Sequence, residues 1–200
     1  MRPAILFVFA KPPRIGLSKT RLAKGLGLTT ARRIAAFTLA RTLQAAKGSG
    51  CAVTIYVAPD RLVRAAQAGQ TFAGLPLAPQ GSGGLTERLG LALHHAPPGP
   101  VLFIGADAPD VTAGKLRAAV ALLRRKDAVF GPASDGGFWL FGLHKGPRAH
   151  DPFGGVRWSG PHAMEDVWSN LPRHSRIGLL EQLTDIDEAA DWKAWTRGAR

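Results

Sequence analysis

AILFVFAKPPRIGLSKTRLAKGLG, residues 4–27, runs from an apolar segment straight into one that carries Lys11, Arg14, Lys19, Arg21 and Lys24 and no acid. The apolar half, AILFVFA (4–10), reads as a buried strand. The basic half is stiffened by Pro12 and Pro13 and reads as a loop. If the strand belongs to a parallel sheet, this loop leaves its carboxyl end, where such sheets bind ligands.

The rest of the chain supplies that sheet. CAVTIYVA (51–58), VLFIG (101–105), DAVFG (127–131), FWLFGL (138–143) and RIGLLE (176–181) read as further strands. Between them lie helical patterns. The first spans 29–48, with Thr29 or Thr30 as N-cap and Gly48 as its stop. A short helix after Asp60 and helices over 85–96 and 112–125 follow, the last capped by Thr112. Pro161 opens another helix that runs to about Asn170, and Asp187 caps an acidic-started one, EAADWKAW. Strands separated by helices predict an α/β fold with a largely parallel sheet.

The 200 residues fit one domain over 1–200, with 46% hydrophobic and 20% charged residues. The only cysteine, Cys51, opens an apolar strand and reads as a reduced core thiol. No apolar run approaches the length of a membrane span. MRPAILFVFAKPPR resembles a secretory leader, but its apolar part is too short and Lys-Pro-Pro-Arg stands where small residues precede a cleavage site. The expectation is a cytoplasmic protein. The formal charge of +12 invites a nucleic-acid partner. The charge is spread along the chain, without a recognition-helix motif, zinc-finger spacing or basic run interleaved with aromatics. A basic surface with a site for an anionic small molecule is the better reading, with no nucleic acid expected.

Four segments carry candidate chemistry. The basic loop is not a phosphate-binding Walker loop, because Pro13 and Ser18 stand where that motif needs glycine. It still offers backbone amides near Gly16 and the charges of Lys11, Arg14, Lys19 and Arg21, which suit a triphosphate. The alternative is a solvated basic loop. Asp107, in IGADAPD (104–110), follows a buried strand and suits Mg²⁺ held against phosphates, or else caps a turn. Asp135-Gly136-Gly137 allows close backbone approach to a ligand and is also a hairpin signal; both readings hold together. Asp185 and Asp187 project to one side of an extended segment and suit one metal, unless Asp187 is a helix cap. The histidines show no metal-ligand spacing. The tryptophans read as packing of the C-terminal part and leave a homodimer interface open.

Together FAKPPRIGLSKTRL, QGSGGLTERL, IGADAPD, GPASDGGFWLFGL and DIDEAADW resemble, in order and spacing, a bacterial family of uncharacterised glycosyltransferase-like proteins. That family is assigned to the nucleotide-diphospho-sugar transferase fold. The chain is similar, more distantly, to phospholactate or phosphoenolpyruvate guanylyltransferase and to molybdenum-cofactor nucleotidyltransferases. The resemblance covers nearly the whole chain, and the K-T-R-L and D-G-G elements carry it jointly. It departs at Gly-Ser-Gly-Gly-Leu, where the family has Gly-Asp-Leu-Gly, and at Phe138, where the family has tyrosine.

The resemblance implies a single Rossmann-like, three-layer, GT-A-like domain with a mostly parallel mixed sheet. It implies that Lys19 and Arg21 are catalytic and that Lys11, Gly16, Lys19, Arg21, Gln80 and Arg88 bind the nucleotide and its phosphates. Asp135, Gly136 and Gly137 would bind the acceptor. Asp107, Asp185 and Asp187 would hold Mg²⁺ or Mn²⁺. The implied reaction moves an NMP group from an NTP to a small phosphorylated or phosphonate acceptor. A glycosyltransferase using an NDP-sugar is the second reading, since Asp185-Ile186-Asp187 has the D-x-D form. A non-catalytic nucleotide- or nucleic-acid-binding protein is the third.

Overall fold

The computed structural model describes residues 3–146 and 151–198. Met1 and Arg2, at the start of the leader-like stretch, and residues 147–150 and 199–200 lie outside these. The chain alternates strands and helices around one sheet. The first half comprises β1 (Ile5–Ala10), α1 (Thr20–Leu26), α2 (Leu28–Lys47), β2 (Ala52–Val57), a 3-10 turn (Asp60–Leu62), α3 (Val63–Ala68), β3 (Leu77–Pro79) and α4 (Leu85–His95). Then come β4 (Gly99–Ile104), α5 (Ala113–Leu123), β5 (Ala128–Pro132), β6 (Phe138–Lys145), α6 (Ala163–Ser169), β7 (Ile177–Leu179) and α7 (Ala189–Gly198).

The seven strands are ordered β3-β2-β1-β4-β6-β5-β7. The β1–β2, β1–β4, β2–β3 and β5–β7 pairs are parallel, and only β6 runs against its neighbours. This is the expected α/β domain with a mostly parallel mixed sheet. Helices cover both faces. On one face Leu6, Val8, Leu102 and Ile104 pack with Leu39 and Leu43 of α2 and Leu116 and Leu123 of α5. On the other, Phe7, Phe103, Phe130 and Phe141 pack with Leu89 and Leu93 of α4 and Val167 of α6. Successive β1 side chains thus enter opposite layers, which is why 4–10 is apolar without alternation. Among the described residues no helix is long and apolar enough to cross a membrane.

Chain direction decides where the loops gather. β1 and β4 are parallel neighbours, yet the chain leaves β1 toward β2 on one side, while β4 is followed by strands on the other. A crevice opens at the carboxyl ends of two such strands. Because β6 is antiparallel, the β5–β6 turn lies at this same edge of the sheet. Residue Leu183, just after β7, bridges to Ala133, and Ser134 N donates to Leu183 O at 3.1 Å. The segment leading to Asp185 and Asp187 is thereby brought beside that turn.

Three local expectations are corrected, and one strand was not anticipated. The K-T-R-L segment is not all loop: α1 begins at Thr20, with Lys19 as its N-cap residue in the left-handed region at φ 55°. Leu22, fully buried, is the packing that overrides the flanking glycines and prolines. Helix α2 starts after Gly27, whose φ of 80° turns the chain out of α1, so neither Thr29 nor Thr30 is the cap. Asp187 does not cap α7 either; Asp191 Oδ2 reaches back to accept from the N–H groups of Asp187 and Glu188 at 3.0 and 2.7 Å. The three-residue strand β3 carried no sequence signal, being short and ending in Pro79. Thr112 caps α5 as expected, accepting from Lys115 N at 3.2 Å.

Candidate functional site

A cavity of about 480 Å³ lies in the crevice between the carboxyl ends of β1 and β4. Lys11, Lys19, Arg21 and Arg88 supply its cations, and Asp107 and Asp187 its carboxylates. These residues come from four separate segments: the loop after β1 with the first turn of α1, the start of α4, the loop after β4 and the approach to α7.

Lys19 organises them. Its Nζ lies 2.5 Å from Asp107 Oδ1 and 2.9 Å from Asp187 Oδ1. The Lys19 side chain is 5% exposed, whereas those of both aspartates are about half exposed. Burial works against the lysine charge, and the two carboxylates outweigh it, raising the Lys19 pKa above its ordinary value. The backbone enforces this arrangement. Ile186 is fully buried with Leu22 and Ile34, and its N–H donates to the carbonyl of Asp107 at 3.0 Å. The buried isoleucine turns inward and leaves Asp185 and Asp187 on the side away from the core. On the far side of Asp107, Arg41 Nε donates to Pro109 O at 2.5 Å and Trp195 Nε1 to Asp110 Oδ2 at 2.9 Å. Helices α2 and α7 therefore hold the loop after β4 in place.

Gln80 is committed inside the fold. It is 5% exposed; its Nε2 donates to Tyr56 O at 2.8 Å, and its Oε1 accepts from Arg88 Nη1 at 3.1 Å. Arg88 Nε also donates to Gly83 O at 3.1 Å. Gln80 thus fixes Arg88 at the cavity wall. Ser18 also lines the cavity, and its Oγ is buried with no partner among the described residues. Gly16, at φ 76°, lies in the same loop but does not line the cavity.

A second cavity, about 200 Å³, adjoins the first and shares Phe9, Leu85 and Gly105 with it. Asp135, Gly137 and Asp185 line it, together with Phe138, Trp139 and Trp158. The expected acceptor and donor segments are therefore neighbours. Gly136 faces elsewhere: a Cβ there would lie 2.3 Å from the carbonyl oxygen of Pro161, so its small size serves packing. Asp185 is separated from its two partners, lining the second cavity while Asp107 and Asp187 line the first. Burial, and then the charges of Asp107 and Asp187, push its carboxyl up to about 7. The tryptophans at this wall were not legible as site residues, although Trp139 directly follows the D-G-G-F run.

Among the described residues no three His, Cys, Asp or Glu side chains converge as a metal cage. What converges is the pair Asp107 and Asp187, whose oxygens point at one cation, the Lys19 ammonium. Two hard carboxylate donors on one cationic position fit Mg²⁺ or Mn²⁺.

The family described as "Uncharacterized protein conserved in bacteria (DUF2064)" matches residues 38–160. No curated protein matches the chain. Among solved structures, the chain is similar to a protein of Desulfovibrio desulfuricans G20 provisionally assigned as a nucleotide-diphospho-sugar transferase. The two are 26% identical, with a TM-score of 0.91 over 100% of this chain and 89% of that one. The fold is shared with the 4-diphosphocytidyl-2C-methyl-D-erythritol synthase of Anaerococcus prevotii DSM 20548. That pair is 9% identical with a TM-score of 0.65, over 100% of this chain and 99% of that one. It is shared too with Rv0371c of Mycobacterium tuberculosis H37Rv in complex with manganese, at 16% identity and a TM-score of 0.56, over 96% and 97% of the two chains. These likenesses agree with the fold read from the sequence.

Proposed function

This chain belongs to the bacterial family of uncharacterized proteins just described, and we propose that it is a nucleotidyltransferase. It moves an NMP group from an NTP to a small phosphorylated or phosphonate acceptor and releases pyrophosphate. The observation that carries this reading is the first cavity, where Lys11, Lys19, Arg21 and Arg88 face Asp107 and Asp187 at the switch point of the sheet.

The chemistry needs little more. An acceptor phosphate oxygen, already ionised near neutral pH, forms a bond to the α-phosphorus. The bond from that phosphorus to the bridging oxygen breaks, and pyrophosphate leaves with the electron pair. No general base is required, and among the described residues no His or Cys lines the cavity. The barrier lies in bringing anions together and stabilising the charge that develops. Lys19 and Arg21 supply that stabilisation, Lys11 and Arg88 hold the phosphates, and Gln80 keeps Arg88 aimed. Asp107 and Asp187 would hold Mg²⁺ or Mn²⁺, which would supply further positive charge against the phosphate oxygens.

The reading is supported by the shared fold, since the solved structures it resembles include a protein named as a diphosphocytidyl-methylerythritol synthase. The 26% identical neighbour, assigned to sugar-nucleotide transfer, favours a second reading in which the donor is an NDP-sugar. A pyrophosphate-release screen of four NTPs against small phosphates and phosphonates, with Mg²⁺, tests the first. Release with one pair supports it. No release from any pair, together with a larger melting-temperature rise from an NDP-sugar than from any NTP, moves the assignment to glycosyl transfer.

A further inference from the structure

The second cavity has the opposite chemistry to the first. Its aromatic walls include Phe9, Phe103, Phe138 and Trp158, and among the described residues Asp135 and Asp185 are its only charged lining residues. Among the described residues no Lys, Arg or His lines it, in a chain of formal charge +12. An anionic group placed there would meet carboxylates and ring faces and no compensating cation.

The hydrogen-bonding inventory narrows the occupant further. Both lining indoles have spent their N–H groups elsewhere. Trp158 Nε1 donates to Thr86 Oγ1 at 2.8 Å, and Trp139 Nε1 donates to Glu181 O at 3.1 Å. Asp135 Oδ1 accepts from Gly137 N at 2.9 Å, which orients the carboxylate and leaves Oδ2 without a hydrogen-bond partner among the described residues. Among the described residues the lining side chains therefore present mostly acceptors and π faces, with the Ser159 hydroxyl and the protonated form of Asp185 as donors. A phosphate or carboxylate, which only accepts, meets the charge of Asp135 and is poorly served here. A hydroxyl, which both donates and accepts, is half served. An ammonium, which only donates and is attracted to aromatic faces, is served fully. The wall is also held firmly: Arg157, beside Trp158, makes a two-pronged pair with Asp166 at 2.9 and 2.6 Å.

We propose that this cavity takes the cationic amine of the acceptor. The acceptor is then a small phosphorylated or phosphonate amine, its anionic end toward the cations of the first cavity and its ammonium against Asp135 and the aromatic walls. The inference rests on the nucleotidyl-transfer reading of the first cavity, which the second adjoins along Phe9, Leu85 and Gly105.

Three probes of one size separate the possibilities: ethanolamine, ethylene glycol and glycolate, which carry a cationic, neutral or anionic end. Each is titrated by ligand-observed NMR into the full chain and into Asp135→Asn and Phe138→Leu. Asp135→Asn keeps the acceptor for Gly137 N, and Phe138→Leu keeps apolar bulk, so both variants are expected to fold. Ethanolamine should bind about tenfold more tightly than ethylene glycol, and each variant should lose most of that margin. Ethylene glycol or glycolate binding as tightly as ethanolamine in an Asp135-dependent way overturns the proposal, as does ethanolamine binding that neither variant changes. The NTP-induced melting shift is measured on the same samples. Amine preference without an NTP shift removes the nucleotide reading and leaves the amine cavity standing; an NTP shift without amine preference does the reverse.

Discussion

Lys19 Nζ donates to Asp187 Oδ1 at 2.9 Å, joining residues 168 positions apart in the sequence. That contact, with the one to Asp107, places a buried ammonium at the first cavity in a fixed position. Fixed charge is what phosphoryl transfer rewards, because it needs no reorganisation at the moment of reaction. Lys19→Ala should therefore lower turnover about a hundredfold, corresponding to about 3 kcal/mol of transition-state stabilisation. Pyrophosphate release measured beside a circular-dichroism spectrum checks it. Near-wild-type release from a folded variant would remove Lys19 from catalysis.

The same contact makes a prediction about metal. The ammonium stands where Asp107 and Asp187 converge, so a divalent ion and Lys19 compete for one pair of carboxylates. Lys19→Ala should tighten Mn²⁺ binding and Asp187→Asn should weaken it, each by about tenfold. Electron paramagnetic resonance of free Mn²⁺ reads both without any turnover. Unchanged affinity in both variants would place the metal elsewhere.

The strands were legible because the buried ones are continuous apolar runs, and their alternation with helices implied the sheet. The basic loop, Asp107 and the Asp185–Asp187 pair could be named because each follows a strand. What could not be read was which of them meet. Lys19 pairing with two aspartates depends on Leu22 and Ile186 sharing one cluster, a contact across 164 positions that no local pattern encodes. The second cavity was hidden for another reason. Phe9, Phe103, Phe138 and Trp158 look like core residues in sequence, and they become a wall only because β1, β4, β6 and the segment before α6 bring them to one cavity. Gly136 was read as a ligand approach and is in fact a packing position against Pro161.

Gly136→Ala tests that last point. Gly136 has a φ of 87°, and an added Cβ would lie 2.3 Å from Pro161 O, which is backbone and cannot swing aside. Left-handed strain and overpacking each cost on the order of 1–3 kcal/mol, so a loss of about 3 kcal/mol is expected. A lowered denaturant midpoint with an unchanged slope is the signature. A variant as stable as the parent would mean that the turn relaxes freely.

The Arg157–Asp166 pair gives a pH signature at the rim of the second cavity. Side-chain hydrogen bonds from Arg157, then one from its backbone N–H, lower Asp166 to about 2. The usual aspartate value is about 3.9. A depressed carboxyl stabilises the fold above its unfolded value and loses that contribution as pH falls through its folded value. The pair should therefore hold the Trp158 loop above about pH 4 and release it toward about pH 2. Carboxyl NMR should show Asp166 titrating near 2 and, in Arg157→Gln, part of the way back, since the backbone N–H remains. An Asp166 midpoint unmoved by Arg157→Gln would show that the guanidinium does not set it.

Ile186 joins stability to the site, and a paired substitution separates the two. Ile186 and Ile34 are both buried in the cluster with Leu22, at 0% and 3% exposure. Truncating either to alanine should cost about 3 kcal/mol, the usual loss for a buried isoleucine. Only Ile186 lies between two of the acids, and only its N–H is bonded to the backbone of the third, Asp107. The cavity left by Ile186→Ala lets the Asp185–Asp187 segment settle inward and carry its carboxylates with it. Ile34→Ala leaves a cavity beneath α2 and leaves that segment anchored. At equal loss of stability, then, Mn²⁺ affinity should fall several-fold in Ile186→Ala and stay near the parent value in Ile34→Ala. Equal affinities in the two variants would show that the carboxylates are held by α7 and Lys19 alone, and that Ile186 is core and nothing more.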